Sequence, residues 1–325
     1  MSGIPFVSVV MTTYNYGKYL KRSISSVLNQ DFPANSREII VIDDGSTDNT
    51  QRILAEFGDQ LRWIRQQNSG QAEGINRALE IVKGDIVAFL DPDDEWYPQK
   101  LKRVVPEFQD PEVGMVQHLL DVKKSVRGST FRFYNQLSSG RIGEHTLTPD
   151  FRSMPTSALS FRTEILRRFL PAPVVLRTGT DWYFCVLVAL VSKISAIQEP
   201  LGAYWVHGSN FFTNNVTAAS FRQQILTIET VRASSVKVAL SAGMKIPERF
   251  EASLYSEYPV FCRINLAWHE KQFGKIPSYF WDYLRKYAIK EYGWSLRLLR
   301  RSFRMAACGM IPPPIYRKLG FYSHA

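Results

Sequence analysis

Apolar and polar positions along the first half of the chain follow two periods. Short apolar, β-rich runs recur at residues 6–11 (FVSVVM), 38–42 (EIIVI), 61–65 (LRWIR) and 85–90 (DIVAFL), and each predicts a strand, the last of them buried. Between them the period lengthens. Leu20, Ile24, Val27 and Leu28 share one face of a helix predicted over residues 18–28, and Ile75, Ala78, Leu79 and Val82 share one over 71–82. A further helix is predicted over 48–57, begun by Ser46 or Thr47 as N-cap with Asp48 in its first turn. This alternation predicts an α/β fold with a mostly parallel sheet and helices on both faces.

Residues 113–119 and 157–161 read as further strands, separated by a polar, Gly/Ser-rich loop or hairpin. Residues 180–190 read as a helix, and 193–198 and 203–207 as two strands. Beyond residue 216 the pattern is helical, each long helix ending at a glycine suited to a C-cap. The expected division is a domain over 1–210 and a helical region over 211–325 with a basic amphipathic end.

Composition narrows the class. Of 325 residues, 45% are apolar and 22% charged, which suits a folded chain with a sizeable core. Cys185, Cys262 and Cys308 are far apart and form no C-x-x-C pair, so a reducing, cytoplasmic location is expected. The N-terminus has no signal-like apolar segment, and the apolar run 182–191 is shorter than the roughly 20 residues a spanning helix needs. The net charge of +10 is concentrated late: residues 281–320 hold nine Lys/Arg against two acids. That argues against nucleic acid as a partner of the first domain and for an anionic surface facing the end of the chain.

The candidate chemistry lies in three polar loops after predicted strands: TTYNYGKYL, DDGSTDNT and DPDDEW. Open α/β sheets bind ligands beyond such strand ends. No G-x-G-x-x-G follows the first strand, and Gly17-Lys18 is followed by Tyr19, so neither Gly-rich phosphate loop is present. Mg²⁺ held by one or two carboxylates is another way to bind a diphosphate, and Asp91, Asp93 and Asp94 suit it. Taken alone, that run fits a solvated turn equally well. Asp43 and Asp44, directly after an apolar strand, suit a ligand that donates hydrogen bonds, such as a base or ribose.

Together the segments VSVVMTTYN, EIIVIDDGSTD, NSGQAEGIN and GDIVAFLDPDD resemble glycosyltransferase family 2, in order, over about 90 residues. Thr12 stands where that family usually has Pro. The resemblance implies a GT-A, Rossmann-like fold and an inverting transfer of sugar from a nucleotide-diphosphate sugar donor. It places Thr13, Tyr14, Asp43 and Asp44 in the donor pocket, and Asp91 and Asp93 as the D-x-D pair of a Mg²⁺ or Mn²⁺ site, with Asp94 still in contention. The family's base lies in a short acidic motif at a helix start, which here falls on Thr180-Asp181-Trp182 and names Asp181; Thr180 departs from the usual Glu. An acid stabilised by a helix dipole is the plainer alternative there.

In EPLGAYWVHGSN, the resemblance assigns His207 to the metal or diphosphate, with Trp205 in place of the common Arg. PTSALSFRTEIL corresponds loosely to a strand near the sugar, with Arg162 and Arg152 as weak candidates. A glycan or lipid-linked acceptor, a role in cell-envelope polysaccharide synthesis, and a peripheral membrane contact through residues 285–320 at the inner face are further expectations. A nucleotidyltransferase, or a sugar-nucleotide-binding module without chemistry, is the alternative.

Overall fold

The computed structural model describes residues 4–124, 130–131, 136–148, 150–207, 217–247, 250, 257–289, 301–302 and 305–306. Strands β1 (Val7–Thr13), β2 (Arg37–Asp43), β3 (Arg62–Arg65) and β4 (Ile86–Phe89) form a parallel half-sheet in the order β3-β2-β1-β4. Helices α1 (Gly17–Leu28), α2 (Thr50–Ala55) and α3 (Gln71–Ile81) make its connections. Period-two alternation sorts the side chains between two cores. Val7, Val9 and Met11 of β1, with Ile39 and Val41 of β2, pack against Leu20, Ile24 and Val27 of α1. Val10, Ile40, Ile42, Val87 and Phe89 face the other way, onto Ile75, Ala78 and Leu79 of α3.

Beyond β4 the sheet is not parallel, and here the mostly parallel expectation is corrected to a mixed sheet. Strand β8 (Leu159–Arg162) inserts antiparallel between β4 and β6 (Val113–Lys124). Strand β9 (Lys193–Val206) runs parallel to β6, and β5 (Glu95–Trp96) closes the edge antiparallel to β9. The two strands expected at 193–198 and 203–207 are therefore one. The ladder shifts register beside the Leu119–Pro200 pair, where proline has no N–H to give. Strand β7 (Thr130–Phe131) pairs back onto β6 as the expected hairpin.

Short helices α4 (Lys100–Val104) and α5 (Thr163–Arg167) precede α6 (Thr180–Val191), which is apolar on every side. Nine of its twelve residues are buried, as an element covered on both sides requires. One cover is α7 (Ala218–Ser241), which starts with a reciprocal capping box between Thr217 and Ser220. Val231 and Ala239 of α7 belong to the same core cluster as α3 and α6. Phe221, by contrast, packs with α8 (Glu257–His269) and α9 (Ile276–Asp282) in a separate cluster around Tyr283 and Tyr287. The glycine stop expected after α8 is instead made by Lys271, at φ 57.

Candidate active site

The ends of β1, β2 and β4 deliver the three polar loops to one edge of the sheet. The first two interlock. Asn15 Oδ1 accepts from the N–H groups of Thr47 (2.7 Å) and Asp48 (3.3 Å), while the Asn15 N–H donates to Ser46 Oγ (2.9 Å). Helix α2 begins at Thr50 rather than at 48, because Asp48 Oδ1 accepts the Thr50 N–H at 2.9 Å. The side chain that accepts the first helical N–H is thus Asp48, one residue before the Asn49 N-cap, and not Ser46 or Thr47.

Asp43 and Asp44 have different tasks. Asp44 accepts from Gln66 Nε2, Ser69 N–H and Gly70 N–H, each at 2.8 Å. Its carboxylate therefore pins the 66–70 turn to the end of β2. Glycine is required on both sides of that pin. Gly45 (φ +85) passes 2.9 Å from Asn68 N, and Gly70 (φ +94) passes 2.8 Å from the Arg177 Cα, measured from a Cβ placed on each. Asp43 accepts the Ser46 N–H on Oδ1 (2.9 Å), while its buried Oδ2 has no hydrogen bond, with Arg65 Nε 3.7 Å away. Its register partner on β1 is Thr13, whose buried Oγ1 also lacks a hydrogen bond. Two adjacent strand ends thus present two unsatisfied polar atoms, which buried groups rarely tolerate without a ligand. Tyr14 follows, 45% exposed.

The acidic loop after β4 is equally differentiated. Asp94 is fully buried. Its Oδ2 accepts the Ser157 hydroxyl at 2.5 Å and its Oδ1 accepts the Trp205 N–H at 3.0 Å. Asp94 thereby ties β9 and the turn before β8 to the loop. Ser157 Oγ also accepts the Asp91 N–H at 3.1 Å, and Trp96 Nε1 donates to the Ser157 carbonyl at 2.7 Å. Asp93 Oδ2 lies 3.0 Å from His207 Nε2, and the Tyr19 ring stacks on that imidazole at 4.2 Å. Arg22 donates to the Asp93 carbonyl and sits 4.2 Å over the Trp205 ring.

Asp181 enters from the first turn of α6. The Thr156 hydroxyl donates to Asp181 Oδ2 at 3.1 Å, and the same side chain partly offsets the rise in the proton affinity of Asp91. Burial, then the charges of Asp94, Asp93 and Asp181, hold the Asp91 carboxyl well above the usual carboxylate range. Burial and Asp93 do the same to Asp94, and burial raises Asp181. Two tyrosines wall this cluster. Burial and the acidic loop push the Tyr16 and Tyr204 hydroxyls upward, so both stay protonated.

Of the residues singled out from sequence, Asp91, Asp93, Asp94, Asp181 and His207 therefore meet in one cleft, and Thr13 and Asp43 share the adjacent strand ends. Arg162 does not join them. Its guanidinium is spent on the carbonyls of Phe108, Asp110 and Val113. The sequence reading passed over Thr156, Ser157, Arg22, Tyr16, Tyr19 and Tyr204. Tyr16 and Tyr19 lie within the first polar loop, but uncharged residues in turns carry no signal of their own.

The model of glycosyl transferase family 2 matches residues 8–170. An uncharacterised glycosyltransferase of Nostoc sp. strain PCC 7120 is 35% identical over 230 residues, which cover 66% of this chain and 68% of that one. Among solved structures, S. aureus TarS in complex with UDP-GlcNAc superposes with a TM-score of 0.56 at 18% identity, over 97% of this chain and 90% of its own. The mannosyltransferase PcManGT of Pyrobaculum calidifontis, in complex with GDP-Man and Mn²⁺, gives 0.55 at 24% identity, over 98% and 84%. The mixed, helix-flanked sheet is thus the GT-A fold these structures share, and the chain belongs to glycosyltransferase family 2 and is a glycosyltransferase.

Proposed function

We propose that this glycosyltransferase moves a sugar, with inversion, from a nucleotide-diphosphate sugar to a hydroxyl of a glycan or lipid-linked acceptor, in the synthesis of an envelope polysaccharide. The observation that carries this is the placement of Asp181, held by the Thr156 hydroxyl, where its charge and that side chain both act on Asp91. It joins the residue proposed as base to the acidic loop proposed to face the diphosphate.

In this proposal Thr13 and Asp43 receive the base and ribose, satisfying two buried polar atoms that lack hydrogen bonds. Tyr14 supplies an exposed aromatic ring beside them. Asp44 acts one step away, by holding the 66–70 turn in place. Asp91 and Asp93 would hold a divalent cation, Mg²⁺ or Mn²⁺. Asp94 is the less apt ligand because both its oxygens already accept hydrogen bonds.

The fit is favourable on charge. Burial and neighbouring carboxylates raise the proton affinity of Asp91 and Asp94, burial raises that of Asp181, and a cation offsets such crowding. Among the described residues, no three His, Cys, Asp or Glu side chains form a complete cage. Mg²⁺ does not need one, since it keeps waters and binds substrate phosphates. When bound, such an ion supplies charge stabilisation to a departing nucleoside diphosphate. His207, hydrogen-bonded to Asp93 and stacked on Tyr19, fixes the direction of that carboxylate.

Asp181 is proposed to take the acceptor hydroxyl's proton. A buried carboxyl with raised proton affinity is a stronger base than an exposed one. The Thr156 donor holds Oδ2, which leaves Oδ1 for the acceptor.

The test is a screen of nucleotide sugars for hydrolysis and for thermal stabilisation of the chain, with and without Mn²⁺. Turnover of one nucleoside-diphosphate sugar that requires the ion supports the proposal. Stabilisation by nucleoside triphosphates alone would overturn it.

A further inference from the structure

Helices α8 and α9 pack on each other through Val260, Ile264, Ile276, Tyr283 and Tyr287, but their outer side carries large aromatic groups. Phe273 is 49% exposed and Trp281 59% exposed. The backbone between them is helical almost without a break: a 3₁₀ turn at Phe273–Lys275 leads into α9, which leads into a π turn at Tyr283–Ala288. Phe273, Pro277, Trp281 and Arg285 follow at intervals of four, and all are exposed. Such spacing places them along one outer stripe. Trp268 packs edge-on against Phe273 at 4.9 Å and props it outward.

The charges around this stripe are mainly positive. Residues 271–289 contain Lys271, Lys275, Arg285 and Lys286 against Asp282 as their one acid, and Asp282 lies 3.0 Å from Lys286. Glu270, just before, is bound to Arg222 at 2.6 Å. The chain that follows continues the bias: Lys290, Arg297, Arg300, Arg301, Arg304, Arg317 and Lys318 stand against Glu291. Among the described residues, no helix is long and apolar enough to cross a membrane.

We propose that the Phe273–Trp281 stripe, with Lys271, Lys275, Arg285 and Lys286 around it, docks on the surface of an anionic lipid bilayer. Trp, with its polar N–H edge, settles at the boundary between headgroups and acyl chains, and an apolar Phe ring beside it buries into the same boundary. Cations within a Debye length of anionic headgroups add attraction that weakens with salt. A second copy of this chain is a poorer occupant, because a two-fold contact would set the same cations against each other. The docking is independent of the donor chemistry, so its failure leaves the transfer reaction untouched.

The experiment uses the full chain and two kinds of vesicle, phosphatidylcholine alone and phosphatidylcholine mixed with phosphatidylglycerol. The chain sediments with the mixed vesicles, less with the neutral ones, and less as salt rises. The variant carrying Phe273→Ser and Trp281→Ser loses about tenfold in partitioning, while its far-UV circular dichroism and cooperative melting show that it remains folded. A single cysteine at position 273 carrying an environment-sensitive dye shifts to the blue on mixed vesicles. Equal sedimentation of wild type and double variant, or no dye shift, overturns the proposal. So does a wild-type dimer that becomes a monomer in the double variant while vesicle binding stays the same.

Discussion

His207 Nε2 lies 3.0 Å from Asp93 Oδ2, across 114 residues of sequence, and the Tyr19 ring lies flat against its imidazole at 4.2 Å. Three elements thus fix the direction of one carboxylate: the start of α1, the loop after β4 and the end of β9. Groups that orient a metal-facing carboxylate typically contribute 10- to 100-fold to metal affinity or activity. His207→Ala is expected to weaken Mn²⁺-dependent donor binding by about that factor, and Tyr19→Ala by less, since the hydrogen bond survives it. Isothermal titration of donor with and without Mn²⁺ measures both. If His207→Ala weakens metal-free binding by the same factor, the role is general packing.

Asp181→Asn keeps the size of the side chain and the Thr156 contact but cannot take a proton. The expected result is a loss of about 10²- to 10⁴-fold in kcat, with donor affinity nearly unchanged. Thr156→Val removes the hydroxyl that donates to Asp181, and Thr156→Ser should restore most of what Val loses. Steady-state kinetics together with donor titration separates these effects. A lost donor site in Asp181→Asn would sink its assignment as base.

Strands β1, β2 and β4 were legible because their residues are mostly buried and read as apolar runs, whereas the edge strand β3, with Arg62 and Arg65 exposed, was legible only from its short Leu61–Ile64 pattern. Strand β8 read as a strand too, yet its antiparallel insertion was not visible, because an apolar run carries no direction. The acidic pairs show a similar limit. Successive residues at a strand end point to opposite sides, so Asp43 and Asp44 look interchangeable until the turn holding Gln66, Ser69 and Gly70 is in place. The clamping contacts of Asp94 were hidden for a related reason, since its partners Ser157 and Trp205 come from far along the chain. Residues 208–216 and most of the basic end lie outside the described residues, among them much of the 285–320 stretch expected to meet a membrane.

Gly70 offers a test of the donor pocket through the backbone. Its φ of +94 is costly for any residue with a side chain, and an added Cβ would come within 2.8 Å of the Arg177 Cα. Gly70→Ala is therefore expected to cost about 1–3 kcal/mol in urea unfolding. Because the Gly70 N–H is one of the three donors to Asp44, donor binding should also weaken while Asp181-dependent chemistry on bound donor persists. Wild-type stability in this variant would mean the turn relaxes without strain.

Binding of a divalent cation should reverse a penalty present in its absence. Asp91, Asp94 and Asp181 all have proton affinities raised in the folded chain. The folded state then holds protons that the unfolded state releases, so stability falls as pH rises above the ordinary carboxylate value of 3.8. Mn²⁺ should raise the melting temperature more at pH 8 than at pH 5, because protons compete less with the ion for these carboxylates at the higher pH. Asp91→Asn should abolish most of that difference. A cation effect independent of pH would place the ion elsewhere.

His118 gives an acid-side prediction of the opposite sign. The side chain is fully buried on β6, with Nδ1 2.8 Å from the Leu119 carbonyl and no hydrogen bond at Nε2. Burial, then the nearby Lys100 amine, lowers its pKa from 6.5 to about 3. Burial also drives Lys100 well below its ordinary value, and that amine donates to Ser160 Oγ at 3.1 Å and lies 3.4 Å over the Trp96 ring. The neutral imidazole therefore costs nothing above pH 6.5. As pH falls from 6.5 towards 3, the unfolded chain takes up a proton that the folded chain refuses, and stability declines by up to about 1.4 kcal/mol per pH unit. His118→Gln has no such proton to gain. Urea unfolding at pH 7 and pH 5 should show the wild type losing about 2 kcal/mol more than the variant over that interval. Parallel losses in the two proteins would mean that His118 protonates in place, and that the space around Nε2 admits a partner for the charged ring.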